Sequence, residues 1–319
     1  MLSYTLRRIS LLFCTLLILT IVSYLIYRQA FTLNDGWFVG YYDYLGKLFQ
    51  ADLGRSLVTG KPVLDVITEH LPATIELCLS AIILALGVGI TLGTLAAFQQ
   101  GRFLDWLLSG FSLCCSSIPV YWLALLLILI FSMLLGVLPS SGQLNLLYEI
   151  PSVTGFTLID TLLASDGHDL SAFYNALEHL ILPASALALL PMTEVIRLVR
   201  NSMGNVLKQN YIKAAFSRGL SPWQVFSRHA LRNALPPILP TITMQFNSIM
   251  ASAIIIEVIF EWPGIGRWLL SCIAGRDYIA IQAGLLTIST LLIAINIGTE
   301  LLTNLLYPVK RKESYGQQG

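Results

Sequence analysis

Charge is what this chain has least of. Of its 319 residues, 12% are Asp, Glu, Lys or Arg, about half of the ~25% that soluble domains carry. The hydrophobic set makes up 55% and mean hydropathy is +0.73. Too few polar groups remain to coat a water-facing surface, which excludes both a soluble globular protein and a disordered one. Net charge is +1, so there is no basic field for nucleic acid. No G-x-x-x-x-G-K-[ST] occurs: Gly60-Lys61 is followed by Pro62, so no P-loop is available to cradle nucleotide phosphates. The cysteines are Cys14, Cys78, Cys114, Cys115 and Cys272. They form no CxxC and no Cys/His cluster, and lie in or near apolar runs. They read as buried small hydrophobes, not as a disulfide framework or a zinc site. His70, His168, His179 and His229 are scattered and match no nucleophile or metal-ligand set. The expectation is a chain without a catalytic site, metal or cofactor of its own, driven by a partner or an ion gradient.

What is present is a series of apolar runs. A bilayer core of about 30 Å takes roughly 20 apolar residues per helix. Ile9 to Tyr27 is uncharged between Arg7-Arg8 and Arg28. No small-residue cleavage site follows, so it reads as a retained anchor and not a signal peptide. Leu77 to Phe98 is a second span, with Gly89, Gly93 and Ala97 at the four-residue spacing that permits close helix contact. A third is expected at about Phe111 to Gly136, bent at Pro119. A fourth covers Ala176 to Leu198 with Pro183 and Pro191 inside, a fifth Pro236 to Phe260 and a sixth Tyr278 to Leu306. The reading is an all-α polytopic membrane protein with six transmembrane helices. An N-terminal helix and external segment occupy 1–73, a membrane core 74–307 and a tail 308–319. External stretches near 29–75 and 137–175 are expected to form short surface helices.

Six spans put both termini on one side, and loop charge says which. Thirteen of the 19 Lys and Arg residues fall on the side of the termini, six on the other. The positive-inside rule makes the richer side cytoplasmic. The one sizeable cytoplasmic loop is 204–235. Tyr211 to Arg218 suits a short helix with Ala214 and Ala215 as a close-packing face, and Gly219 suits its C-terminal turn. Ser221-Pro222 suits an N-cap and first helical position, opening a second helix expected to run through Asn233. On physical grounds alone, a basic loop touching anionic lipid remains open.

This loop resembles the coupling loop of ATP-binding-cassette importer permeases, whose general motif is E-A-A, three residues, Gly, nine residues, then I-x-L-P. Ala214, Ala215, Gly219 and Leu231 match in register, while Lys213 replaces the Glu, His229 the Ile and Arg232 the final Pro. Those departures are the form of the oligopeptide/dipeptide branch, where the loop reads Y-[IV]-[RK]-x-A-x-[AS]-[RK]-G-L and then R-H-A-L-R-N-A. Tyr211 to Leu220 and Arg228 to Ala234 follow it. Asp52-Leu-Gly-Arg-Ser56, Pro72-Ala-Thr-Ile-Glu76, Ile118-Pro-Val-Tyr-Trp-Leu123, His179-Leu-Ile-Leu-Pro183 and Glu257-Val-Ile-Phe-Glu-Trp-Pro-Gly-Ile-Gly-Arg267 resemble the same branch. A P-G-D-P-like segment usual after the first helix is missing from Arg28 to Gly36. With Leu146-Leu-Tyr-Glu149 and Thr154 to Asp160, that absence resembles the Sap group, named for sensitivity to antimicrobial peptides.

The resemblance implies a type I importer permease fold in a bacterial inner membrane, without an ATPase site of its own. It implies a second homologous permease, two ATPases that use the ATP, and a periplasmic solute-binding protein. It places coupling on Tyr211, Lys213, Ala214, Ala215, Gly219, Leu220, Arg228, His229, Leu231 and Asn233. Peptides are the implied cargo; dipeptides, haem and putrescine are alternatives, and substrate contacts are not assigned. An ion-gradient carrier is the reading from another class, but no clear internal repeat supports it.

Among individual residues, Glu194 and Arg197 are spaced to pair along one helix face. Glu257, at membrane depth before Trp262-Pro263-Gly264, is a gate or helix-cap candidate together with Pro263 and Gly264. Glu300 is expected to pair with a loop base or reach the interface. Trp106, Trp122, Trp262 and Trp268 are read as interfacial or packing residues.

Overall fold

The computed structural model describes residues 2–29, 36–164, 170–226, 230–234 and 239–306. The helices in chain order are α1 (Leu2–Gln29), α2 (Trp37–Phe49), α3 (Val63–Phe98), α4 (Phe103–Ser116), α5 (Val120–Leu127), α6 (Thr157–Ala164), α7 (Ser171–Leu207), α8 (Asn210–Ser217), α9 (Pro222–Val225), α10 (Leu231–Ala234), α11 (Leu239–Ile259), α12 (Ile265–Ala274) and α13 (Tyr278–Leu306). A π-helix, Ile128–Leu134, extends α5. Four helices, α3, α7, α11 and α13, are individually long and apolar enough to cross a membrane, and α4 with α5 makes a fifth if counted as one bent span. The sixth expected span lies within the 28 residues of α1, whose stretch Phe13–Gln29 is apolar.

The third span is the main departure from expectation. It starts at Phe103, not near Phe111, and it is broken, not bent: α4 and the α5–π segment meet at 104°. Pro119 has no N–H to continue the ladder and pushes Ile118 out of the helical region. The last α4 bonds accordingly tighten, with the N–H groups of Ser117 and Ile118 reaching the carbonyls of Cys114 and Cys115, both at 3.2 Å.

Helices α3 and α7 form the axis. Each exceeds the bilayer core, at about 54 Å for α3 and 55 Å for α7, and both start earlier than the apolar runs suggest because amphipathic turns precede them. Their contact depends on small residues. A Cβ on Gly89 would stand 2.7 Å from the Val195 side chain, and one on Gly93 2.8 Å from the Ile196 carbonyl. Pro183 and Pro191 are carried inside α7. Around this pair a core of Leu77, Ala81, Leu182, Leu187, Ile249 and Trp262 joins α3, α7 and α11.

The expected surface helices are α2 and α6. Residues 63–75 belong instead to α3, and 171–175 to α7. Helix α2 packs aromatic rings on the end of α1, Trp37 and Tyr44 both against Tyr24. Gln282 of α13 ties the three together, its Oε1 accepting from Ser23 and Tyr44 hydroxyls at 2.7 Å each. The cysteines split. Cys78, Cys115 and Cys272 are buried as expected, whereas Cys14 and Cys114 lie exposed on the outside of α1 and α4.

Candidate functional site

The candidate residues gather at opposite ends of the bundle, separated by about 27 Å of α11. At one end is the loop after α7. Helix α8 ends in a Schellman turn: Gly219 takes φ +81°, and the Leu220 N–H reaches back to the Ala215 carbonyl at 3.4 Å. Ser221 and Gln224 then form a capping box. The Gln224 N–H donates to Ser221 Oγ at 3.3 Å, and the Ser221 N–H to Gln224 Oε1 at 2.9 Å. The second helix differs from expectation. Described α-helix covers only Pro222–Val225 and Leu231–Ala234, on either side of 227–229. Arg228 and His229 lie outside the described residues.

The loop has its own small core. Ile212, Ala215, Val225, Ala230 and Ala234 are buried with Met203 of α7 and Ala97 of α3. Ala215 is therefore turned into the protein, while Lys213, Ala214 and Gly219 face outward with Tyr211 and Asn233. The last two are joined across the loop, Asn233 Nδ2 donating to the Tyr211 hydroxyl at 3.0 Å. Leu220 and Leu231 are half-buried against the small core. What this end can do is mechanical. A partner gripping Tyr211, Lys213, Ala214 and Asn233 holds a lever whose underside is packed on α3 and α7.

Sequence reading missed an ion pair just above this loop. Asp105 of α4 is 2% exposed and is bridged by Arg200 of α7, whose Nη2 donates to Oδ2 at 2.8 Å while Nε bonds Oδ1. The Gly101 N–H adds a third bond at 2.9 Å. The signal was present as one acidic residue among the loop-side bases, but its partner lies 95 residues away. The Glu194–Arg197 pair forms as the i,i+3 spacing predicts, on the exposed face of α7.

At the far end, Glu257 is fully buried. Its Oε1 accepts from Thr74 Oγ1 at 2.6 Å, and its Oε2 from the Arg267 N–H at 2.9 Å. Thr74 in turn accepts the Ile265 N–H at 2.8 Å. Ile265 and Arg267 are the first and third residues of α12, whose own N-cap, Gly264, has no side chain to offer. Glu257 and Thr74 thus supply from two spans the acceptors that the start of α12 lacks. Gly264 is required for this: a Cβ there would meet the Glu257 carboxylate at 2.2 Å. Pro263 contributes its carbonyl, which accepts from His70 Nδ1 at 2.9 Å. Trp262 is a packing residue, with Nε1 donating to the Ala73 carbonyl at 2.9 Å. Trp106 and Trp122 are exposed, and Trp268 is partly so.

The same device recurs nearby. Glu76 accepts from the Leu158 N–H at 2.8 Å, the Thr157 N–H at 3.2 Å and Gln143 at 2.9 Å, capping α6. Asp277 accepts the Ala280 N–H at 3.1 Å, capping α13, and the Ser56 hydroxyl at 2.5 Å. Asp160 accepts from the Thr154 N–H at 2.8 Å, its hydroxyl at 2.7 Å and the Gly155 N–H at 3.0 Å. Burial pushes the Asp160 carboxyl up, but these bonds together outweigh it and hold the group below its ordinary value. Among the described residues, no three His, Cys, Asp or Glu side chains converge as a metal site.

A chain of spanning helices, a short-helix lever at one end and capped helices at the other define a membrane permease subunit. Residues 89–312 match the family described as binding-protein-dependent transport system inner membrane component, and the chain belongs to that family. It is 41% identical, over 99% of both chains, to the peptide transport system permease protein SapB of Salmonella typhimurium. It is equally similar, over the same extent, to a protein of Escherichia coli K12 named putrescine export system permease protein SapB. The di/tripeptide transport system permease protein DppB of Pseudomonas aeruginosa is 42% identical over 84% of this chain and 79% of its own length. Among solved structures, an inward-facing MetNI methionine ABC transporter matches with TM-score 0.57 at 14% identity, covering 77% of this chain and 98% of that one. That likeness carries the fold alone.

Proposed function

We propose that this chain is a Sap-type permease subunit of an ATP-driven transporter, moving peptides through a path shared with a second, homologous permease. Of the two ATPases, one docks on the α8–α10 lever of this chain and the other on the second permease, and a solute-binding protein delivers cargo at the opposite face. The lever faces the cytoplasm with both termini, in a bacterial inner membrane, as the loop charges favour. The observation that carries this reading is the lever itself. Its outward residues Tyr211, Lys213, Ala214, Gly219 and Asn233 sit on a bed fused to α3 and α7, so a push on it is delivered to the axis of the bundle. Leu220 and Leu231 brace that bed, and Arg228 and His229 complete the docking segment. At the other face Glu257, Pro263 and Gly264 act as the closure, with Glu257 holding α12 to α3.

ATP is used by the partner subunits, and this chain binds no cofactor. The relatives' names divide between peptide and putrescine, and those two cargoes share protonated amines. The deciding experiment is transport in vesicles reconstituted with the complete complex, offering peptides, dipeptides, haem and putrescine. ATP-dependent peptide movement that is lost in Ala214→Asp, with insertion intact, is the expected result. Movement driven by an ion gradient without ATPases would overturn it in favour of a secondary carrier.

A further inference from the structure

A cavity of about 300 Å³ opens at the capped end, beside the Glu257 closure. Three elements build it: the connection following α2, the first turns of α3, and α12. Its walls include Glu69, His70, Trp268, Thr59, Lys61 and Asp277. None of these is used by the lever, and two touch the closure: His70 through Pro263, and Trp268, whose backbone N–H donates to the Gly264 carbonyl at 3.2 Å.

The chemistry of the walls is specific. Pro263 O can only accept a hydrogen bond, so the His70 Nδ1 that lies 2.9 Å from it carries the proton. In the neutral ring Nε2 is then left as an acceptor. The imidazole is held in place by the Trp268 indole stacked nearly parallel to it, 19° between planes and 6.3 Å between centroids. Glu69 adds an exposed carboxylate. Asp277 adds a second, turned inward onto Ser56. That second carboxylate is buried and already accepts from the Ala280 N–H as well, so Glu69 is the acid open to the cavity, with Lys61 as the cation of its wall. Carboxylate, imidazole acceptor, hydroxyl and aromatic wall together are an acceptor set suited to a primary ammonium.

We infer that this cavity is a receiving site for a protonated amine of the transported solute, with Glu69 as its counter-ion and His70 and Trp268 as its wall. The inference rests on the transport function proposed above. It adds that this subunit selects for positive charge before the solute reaches the membrane. Because the cavity shares His70 and α12 with the Glu257 closure, an amine seated in it lies next to the contacts that must part for passage.

The test is equilibrium binding to the purified, nucleotide-free complex without its solute-binding protein. The probes are a lysine-containing tripeptide and the same peptide with norleucine, which keeps the shape and removes the charge. The wild-type complex is expected to prefer the lysine peptide about tenfold. Glu69→Gln reduces that preference to less than twofold, Glu69→Asp retains it, and Glu178→Gln, which alters an exposed acid outside the cavity, leaves it unchanged. Trp268→Ala weakens both peptides. A wild-type complex without preference, or a preference that survives Glu69→Gln, overturns the inference. Binding is read without turnover, so a complex that binds the lysine peptide through Glu69 but never moves it sinks the transport proposal and leaves the site standing.

Discussion

The two ends of the bundle are held by different means. At the capped end, buried carboxylates from the spans reach the bare N–H groups of short helices: Glu257 with Thr74 holds α12, and Glu76 holds α6. At the lever end, no such carboxylate holds α8, α9 or α10 among the described bonds. Alanine packing, a glycine turn and a capping box do the work. Hydrogen bonds to buried carboxyl groups are directional, and breaking them leaves buried partners unpaired at a cost. Small-residue packing tolerates sliding. The contrast suits an end that opens and closes, set against an end that must stay docked while it moves.

The largest effect expected separates two adjacent residues of α8. Ala215→Asp puts an unpaired charge into the loop core and should cost about 3–5 kcal/mol, seen as a lower melting temperature of the permease without its ATPases. Ala214→Asp faces outward and should leave the melt unchanged while abolishing ATPase assembly. If Ala214→Asp instead lowers stability and Ala215→Asp does not, the described lever is turned the wrong way. Next comes Glu257→Ala, which strands the Arg267 N–H and the Thr74 hydroxyl and should destabilise by about 3 kcal/mol. Glu257→Gln keeps one acceptor. It should preserve the relative transport of cationic and neutral peptides but raise basal ATPase activity or leak. Selective loss of the cationic peptide would make Glu257 a substrate ligand.

A smaller effect is expected at the turn. Gly219→Ala forces a side chain into φ +81°, costing roughly 1 kcal/mol, while Gly219→Pro should uncouple ATP hydrolysis from transport with insertion intact. Smallest is a pH effect at Asp160. Its folded carboxyl titrates below the unfolded value of about 3.9, so its stabilisation is complete above that value and is lost as pH falls through the folded one. Protease sensitivity of the segment before α6 should rise on acidification into that range, and Asp160→Asn should remove the dependence.

Much of this contrast was legible before any coordinates. Spans declare themselves through run length, and Gly219 and Ser221-Pro222 mark a turn and a cap by backbone chemistry that is local. The gate candidate was visible too, since an acid at membrane depth must have a partner. Which partner was not visible: Thr74 lies 183 residues away, and nothing in a local window joins them. The same distance hid Asp105–Arg200. The facing of Ala215 was missed for another reason. Two adjacent alanines are equivalent in sequence, and only the position of Met203 and Ala97 decides which one is covered. Pro119 announced a bend, but its size depends on how α4 lies across α7.

The notch on α3 has a consequence for how the protein is made. Gly89 and Gly93 fit against Val195, Ile196 and Val199, about a hundred residues later in the chain, which at ~5–20 residues/s means roughly 5–20 s of synthesis. Through that interval the groove of α3 exists without the helix that fills it. Anything small-faced that meets it first, including a neighbouring nascent chain of the same kind, finds a ready seat. The timing of insertion, and not only the fit of the finished helices, decides which helix fills the groove.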